Sequence, residues 1–316
     1  MRVVVSGATG FLGSHLCRHL KTMGHEVIGL GRNVTRGATL VSDGIAFHAL
    51  DLSREALPPV AQADVFVHAA ALSSNWGRRR DFEAANVTGT RHALDMAGRM
   101  NVRRFVFISS PTVAFRFRDQ LGQKESEPLP SPVNAYAASK RAAEILVRAY
   151  PETVILRPRG LYGRGDTALL PRLIRGARSG ALPLINHGEA VTDLTHVDDA
   201  VEAVIAALEA PDTVHRRTYN ISGGEAISIK SIIEQACQGA GVAPRFTGIP
   251  TGLAMVAART AELVASLTPG RPEPLFTAYS VGIMTYSQTL DIAAAARDLG
   301  YMPKVPFDEG LRRTFP

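Results

Sequence analysis

A strand that runs straight into a glycine-rich turn constrains this chain more than any other feature. Arg2-Val3-Val4-Val5 is a β-branched run of the kind a buried parallel strand needs, and Gly7, Gly10 and Gly13 follow it at three-residue intervals. Behind them Leu12, Leu16, Leu20 and Met23 recur at helical spacing. Gly24 then marks a helix end, and residues 26–30 read as a second strand. Without side chains, such glycines let the backbone approach a ligand closely. The helix start behind them offers free N–H donors and the positive end of its dipole. Gly7-Ala8-Thr9-Gly10-Phe11-Leu12-Gly13 therefore reads as a pyrophosphate cradle, the mark of a dinucleotide site.

Further strand-like runs fall at residues 45–49, 65–68, 104–108 and 153–156, with helical patterns at 81–100 and 134–149 between them. Strands alternating with helices imply right-handed crossovers and a parallel sheet covered on both faces. The expected fold is α/β, a Rossmann-type doubly wound parallel sheet with a smaller C-terminal α+β substrate domain. Residues 1–160 form the dinucleotide domain, rejoined by 191–222 through a helix at 198–209 and a strand at 218–221. Residues 161–190 and 223–316 form the substrate domain, where prolines and glycines become frequent.

Composition narrows the function classes. With 46% hydrophobic and 20% charged residues, the chain is neither disordered nor low in complexity. Its two cysteines, Cys17 and Cys237, cannot staple a fold of 316 residues. They point to a reducing compartment and rule out a cysteine-built metal site, so no metal is expected. No window offers the ~18 uninterrupted apolar residues of an integral membrane segment, and a cytoplasmic location is expected. The net charge of +6 is spread over scattered runs such as Arg78-Arg79-Arg80 and Arg216-Arg217. Scattered pairs read as a solvated basic surface, and no basic-aromatic element of a nucleic-acid binder appears. One stretch, 251–267, is rich in Ala and Val but interrupted by Arg259 and Glu262. It reads as a cap helix over an apolar pocket, or alternatively as a helix lying on a membrane surface.

The end of the second strand bears on which dinucleotide is bound. An acid there would hold both hydroxyls of the adenosine ribose, whereas this chain has Leu30-Gly31-Arg32-Asn33 with Arg36 close behind. A guanidinium suits the 2′-phosphate, so NADP(H) is favoured over NAD(H); the alternative leaves Arg32 facing solvent. Further on, Tyr136 and Lys140 stand four apart on one predicted helix, hence on one face. A phenol is a poor base at neutral pH, and a neighbouring ammonium is expected to lower its pKa. Ser110, just beyond the strand at 104–108, would offer a hydroxyl to the same substrate oxygen, with Thr112 as its substitute; a strand-end cap is the structural alternative for Ser110.

With these residues in place, the chain resembles the extended short-chain dehydrogenase/reductases, the superfamily of nucleotide-sugar epimerases, dehydratases and 3β-hydroxysteroid dehydrogenases. The likeness runs through the glycine turn, Asp51-Leu52, His68-Ala69-Ala70-Ala71, Asn86-Val87-Thr88-Gly89-Thr90 and Ser109-Ser110-Pro111-Thr112. It continues through Tyr136 to Lys140, Leu156-Arg157-Pro158-Arg159, Thr195-His196-Val197-Asp198-Asp199 and Tyr219-Asn220-Ile221-Ser222-Gly223-Gly224. The resemblance implies that Asp51 and Leu52 flank the adenine, that Ala69, Ala70 and Ala71 line the cofactor, and that Asn86 contacts it. Arg32, Asn33, Arg36, Ser109 and Pro158 join that set. Tyr136 becomes the acid/base, Lys140 the group on the nicotinamide ribose, and Ser110 the group that polarises the carbonyl. A homodimer through the helices holding Asn86 and Tyr136 is implied as well.

Departures from pattern choose within the superfamily. Sugar dehydratases add an Asp-Glu pair after the strand-end hydroxyl, where this chain has Pro111-Thr112-Val113. Sugar epimerases place an Asn and an Arg where this chain has Gly160 and Thr192, although Arg159, Arg164 and Arg172 could substitute for them. Tyr279-Ser280-Val281-Gly282, the segments 289–292 and 296–301, and Trp76-Gly77 resemble the 3β-hydroxysteroid dehydrogenase-like branch, which includes 2-alkyl-3-oxoalkanoate reductases. The expected activity is an NADP(H)-dependent oxidoreductase interconverting a ketone and a secondary alcohol on an apolar small molecule, 3-oxoacyl or steroid-like. The alternatives are a nucleotide-sugar 4-epimerase with retained NAD and a non-catalytic NADP-sensing regulator.

Overall fold

The computed structural model describes residues 1–55 and 62–315. Seven strands form one sheet in the order Arg217–Ile221, Thr153–Pro158, Arg104–Ile108, Val65–His68, Arg2–Ser6, Glu26–Gly31 and Ala46–Ala49. Every neighbouring pair is parallel. Val3, Val4 and Val5 are wholly buried, as a strand covered on both faces requires. One face packs on the helices Phe11–Thr22 and Val197–Glu209 through Leu16, Leu20, Val201 and Val204. The other packs on Gly89–Arg99 and Ala135–Ala149 through Ala93, Met96, Ala143 and Val147. The doubly wound sheet expected from the alternation of strands and helices is the fold observed.

Chain order reverses across the sheet between Arg2–Ser6 and Val65–His68, which opens a crevice at the carboxyl ends of these two strands. The predicted strand and helix after residue 190 do return to the large sheet, as Arg217–Ile221 and Val197–Glu209. Two short strands depart from the expected division. Val191–Thr192 pairs in a separate four-stranded sheet with Ile227–Ser228 and Gln288–Leu290. Gln120–Gln123 joins that sheet beside Gln288–Leu290, although it lies within the stretch read as dinucleotide domain. The chain between the strand at 104–108 and the helix at 135–149 thus reaches across to the C-terminal part. Tyr162, Leu170, Ile232, Phe307 and Leu311 form a further core there.

The helix Thr251–Leu267 forms with the predicted bounds. Ala254 and Ala258 seat it on Ile185 and Val281, while Leu253, Val256, Leu263, Val264 and Leu267 point outward into solvent. A cap whose large apolar side chains close over a pocket is therefore not what forms: apart from Met255, the small residues face the protein and the large ones do not. Among the described residues, no helix is long and apolar enough to cross a membrane.

Beneath the crevice lies a buried ion pair absent from the sequence-based expectations. Arg157 donates from Nε and Nη2 to the two oxygens of Glu144 at 2.8 and 2.7 Å, and Ser109 Oγ donates to Glu144 Oε1 at 2.6 Å. Burial alone would raise the Glu144 pKa, but the Arg157 fork, Ser109 and Arg148 outweigh it and hold the carboxyl below its ordinary range. Because the folded value lies below the unfolded one, this carboxylate stabilises the fold fully above about pH 4.3 and progressively less as pH falls through the folded value. Glu144→Ala strands a buried guanidinium, and urea unfolding at neutral pH is expected to show a loss of about 3–5 kcal/mol.

Candidate active site

The crevice at the strand reversal is built to take an anion. Gly7 sits at a φ of +74°, and a Cβ there would lie 2.7 Å from the Ala70 amide nitrogen and 2.8 Å from the Ala69 carbonyl carbon. A Cβ at Gly13 would lie 2.2 Å from the Gly7 oxygen. Both positions therefore demand glycine, and the first strand, the helix start and the chain at 69–70 meet backbone to backbone. The helix Phe11–Thr22 begins at Gly10 with no side-chain cap and no acid in its first turn. Its leading N–H groups remain available to a phosphate. Leu12 is buried in the core, so that position offers main chain alone, whereas Phe11 lies at the surface of the turn, edge-on to His15.

Around this cradle the other predicted residues separate by role. Arg32 is exposed just past the strand Glu26–Gly31. Arg36 donates from Nη1 to the Thr9 carbonyl oxygen at 3.3 Å, bringing its guanidinium against the glycine turn. The Asn33 side chain caps the next helix by accepting from the Arg36 amide at 2.9 Å. Asp51 accepts from Ser53 Oγ at 2.7 Å; partial burial acts to raise its pKa, but Ser53, Arg32 and Arg54 hold it lower than usual. Leu52 is buried and its carbonyl oxygen bonds the His92 ring. Ala69 and Ala70 are half-buried against Gly7, with Ala71 beside them, and Pro158 ends its strand half-buried.

Tyr136 and Lys140 rise on the first turns of the helix Ala135–Ala149, whose N-terminus is capped by Asn134 Oδ1 accepting from the Ala137 amide at 2.8 Å. Lys140 is buried, donates from Nζ to the Ile108 carbonyl oxygen at 2.6 Å, and lies 4.2 Å from the Phe107 ring centroid. Burial pulls its pKa down to about 7, against the charge of Glu144. The expected lowering of the Tyr136 pKa is not what the environment produces. Burial pushes it up, beyond what contact with the Ser110 and Ser73 hydroxyls takes back, and Tyr279 raises it further. Desolvation disfavours both phenolate and ammonium, so it acts on each partner towards neutrality.

Ser110 and Thr112 need not be alternatives. The Ser110 hydroxyl accepts from the Thr112 amide at 3.3 Å, the strand-end cap, and also lies 2.9 Å from Thr112 Oγ1. Thr112 Oγ1 in turn lies 3.0 Å from the Tyr279 hydroxyl, so three hydroxyls form one hydrogen-bonded row beside Tyr136. Ser109 turns the other way, to Glu144.

Asn86 is expected to touch the cofactor, but its side chain is committed to the protein. It lies in the π-helical turn Glu83–Thr88, almost wholly buried. Its Oδ1 accepts from the Leu72 amide at 2.7 Å, and Nδ2 donates to the Leu72 carbonyl at 3.1 Å and to Ser139 Oγ at 2.9 Å. Ser139 Oγ donates onward to the Tyr136 carbonyl at 2.8 Å. In the other direction, Thr90 Oγ1 donates to the Asn86 carbonyl, His68 Nε2 meets Thr90 Oγ1, and Ser6 Oγ meets His68 Nδ1 at 2.6 Å. Burial, with the nearby Lys140 charge, drives the His68 pKa to about 3, so the ring stays neutral.

Tyr279, Ser73 and His68 thus bear on the site without having been assigned roles from sequence. Tyr279 lies 167 positions from Thr112, and no spacing rule links the two. On the substrate side, Arg159 bonds Thr192 and Gln288 and lies 3.3 Å from Asp193, while Arg172 is paired with Glu273. Arg164 is exposed.

Comparison with known proteins agrees with this geometry. Residues 3–222 match the sequence model of the "NAD dependent epimerase/dehydratase family". The chain is 33% identical to a 2-alkyl-3-oxoalkanoate reductase of Stenotrophomonas maltophilia (strain K279a), over 99% of this chain and 98% of that one. It is 30% identical to a 4-hydroxy-2-methyl-3-oxo-4-farnesyl-3,4-dihydroquinoline-1-oxide ketoreductase of Stigmatella aurantiaca, over 98% of this chain and 95% of that one. In fold it is similar to a UDP-glucuronic acid 4-epimerase from Bacillus cereus in complex with NAD, with a TM-score of 0.76 at 23% identity, covering 100% of this chain and 97% of the other.

Asn86→Ala would leave the Leu72 main chain and the Ser139 hydroxyl without their partner. A loss of about 1–3 kcal/mol per stranded group is expected in chemical unfolding, together with a fall in turnover. Unchanged turnover in a folded variant would show that the chain from Asn86 to Tyr136 does not position the phenol.

Proposed function

The chain belongs to the NAD dependent epimerase/dehydratase family, and from that premise we propose that it is an NADP(H)-dependent reductase of apolar ketones, 3-oxoacyl or steroid-like, working through Tyr136, Lys140 and the Ser110–Thr112 hydroxyls. The observation that carries the choice of substrate class is the state of the arginines. A sugar diphosphate needs unpaired cations, and of the three arginines that could serve it Arg159 is matched by Asp193 and Arg172 by Glu273, which leaves the exposed Arg164 alone without a carboxylate partner among the described residues. The cluster in which the buried Phe115 packs edge-on against Phe117 and Tyr279, next to the Thr112 hydroxyl, suits an apolar body instead. The activities for which two relatives are named, both reductions of ketones, support the same reading.

When bound, the nicotinamide supplies the hydride for a carbonyl carbon. The protein's own work is to manage the oxygen. A phenol whose pKa is raised by burial is fully protonated at neutral pH, which is the form that can donate to a developing alkoxide. Ser110, relayed through Thr112 to Tyr279, would aim a second hydroxyl at that oxygen. Lys140, held by the Ile108 carbonyl, places a group that titrates near neutrality one helical turn from the phenol. At the other end of the crevice, Arg32 and Arg36 flank the position of a 2′-phosphate, and no carboxylate stands at the end of the second strand to oppose it. The retained Tyr136 and Lys140 favour catalysis over a purely sensing role. Ile145, 64% exposed on the outer face of the helix Ala135–Ala149, supports the proposed homodimer through that helix.

Tyr136→Phe is expected to lower turnover of a 3-oxoacyl test ketone by about 10²–10⁴-fold while NADPH affinity stays unchanged; full turnover would remove Tyr136 from the reaction. Fluorescence titration of an Arg32→Ala, Arg36→Ala double variant is expected to show NADPH binding weakened about tenfold to a hundredfold and NADH binding little altered. Equal losses for both nucleotides would refute the phosphate role.

A further inference from the structure

We propose that the helix Thr251–Leu267 docks this protein onto the surface of an anionic lipid bilayer. Six large apolar side chains, Leu253, Val256, Leu263, Val264, Leu267 and Leu275, are between 59% and 84% exposed, all within this helix and the segment that follows it. On the helix they fall in two groups, Leu253 with Val256 and Leu263 with Val264 and Leu267, that share one side of a rod about 25 Å long with Thr260 exposed between them. The opposite side is small: Ala254, Ala258 and Ala265 are the buried positions, with the first two seated on Ile185 and Val281. An apolar ridge of this size, outward on a folded domain, marks a docking surface.

Charge selects the occupant. The acids of the stretch are occupied: Glu262 is half-buried and accepts from the Ala278 amide at 2.9 Å, and Glu273 is paired with Arg172. Arg259 and Arg271 are exposed. An apolar ridge with Arg259 and Arg271 exposed along it, and with Glu189 and Asp119 confined to its start beside Thr251, matches acyl chains beneath anionic headgroups. A second copy fits less well. Arg259 stands at the middle of the helix, and a two-fold pairing of the ridges about that point would set the two Arg259 side chains against each other.

The placement also gives the surface a use. Trp76 Nε1 donates to the Arg271 carbonyl at 3.2 Å, tying the end of this segment to the loop that carries Ser73 against Tyr136. The docked face therefore adjoins the mouth of the active site, where an apolar substrate would arrive from the bilayer without crossing water. That last step rests on the reductase reading; the docking itself does not.

Flotation of the full chain with vesicles tests the proposal separately from activity. The wild type is expected to float with phosphatidylcholine vesicles containing phosphatidylglycerol, less with pure phosphatidylcholine, and less at high salt. A Leu263→Asp, Leu267→Asp double variant with unchanged circular dichroism is expected to lose about tenfold of that partitioning. An Arg259→Ala, Arg271→Ala variant is expected to lose the preference for the anionic lipid. Wild-type protein that stays at the bottom of the gradient with both vesicle types overturns the proposal. So does a wild-type oligomer that the Asp variants dissociate in sedimentation velocity while vesicle binding is unaltered.

Discussion

The three hydrogen bonds made by the Asn86 side chain are the joint on which the site hangs. They fasten the loop after the fourth strand to the helix that carries Tyr136, because one amide serves Leu72 and Ser139 together. A regular α-helix would space its side chains evenly along one face; the π-helical turn Glu83–Thr88 breaks that spacing where Asn86 must face both partners. Through Thr90 and His68 the same joint reaches Ser6, the residue that precedes the glycine turn. The strand that leads into the glycine turn and the helical turn that carries Tyr136 are thus tied to one buried polar network. A buried network of this kind specifies geometry because any unpaired member would be costly.

Electrostatics beneath the crevice follow one pattern: charge is buried only where it is matched. Glu144 has Arg157 and Ser109, and Arg159 has Asp193. Arg104, wholly buried, donates from Nη1 to the carbonyls of Ala207, Leu208 and Ala210 and pairs with Asp212. These ions clamp strand ends to the neighbouring helices and loops. Lys140 is the exception, since its ammonium meets only the Ile108 carbonyl and the Phe107 ring, and desolvation pulls its pKa to about 7. A shift of this kind beside a crevice marks Lys140 as a candidate working group, although His68, likewise shifted, serves the structural network.

Much of this was legible in the chain because it depends on local pattern. The β-branched runs and glycine positions announced the parallel sheet and its crevice, since close backbone approach at Gly7 and Gly13 excludes other residue types. Tyr136 and Lys140 were legible because four-residue spacing puts them on one helical face. What was not legible depends on distant chain meeting by folding. Tyr279 joins Thr112 across the sequence, Glu144 meets Arg157 and Ser109, and Gln120–Gln123 crosses to the second sheet. The bounds of the helix Thr251–Leu267 could be read from its composition, yet which of its faces is exposed could not, because Ala and Leu positions are equally suited to a core until the seat is known.

The direction of the Tyr136 shift shows why burial has to be known before a chemical role is assigned. From spacing alone, an ammonium one turn away argues for a phenolate and hence a base. In the folded protein both groups are desolvated, and the phenol is held in its protonated form. A protonated phenol already in contact with Ser110 and Ser73 is in the form that donates a proton to a neighbouring oxygen. The same residue pair that suggests a phenolate by sequence is therefore, by environment, a protonated phenol beside a buried lysine.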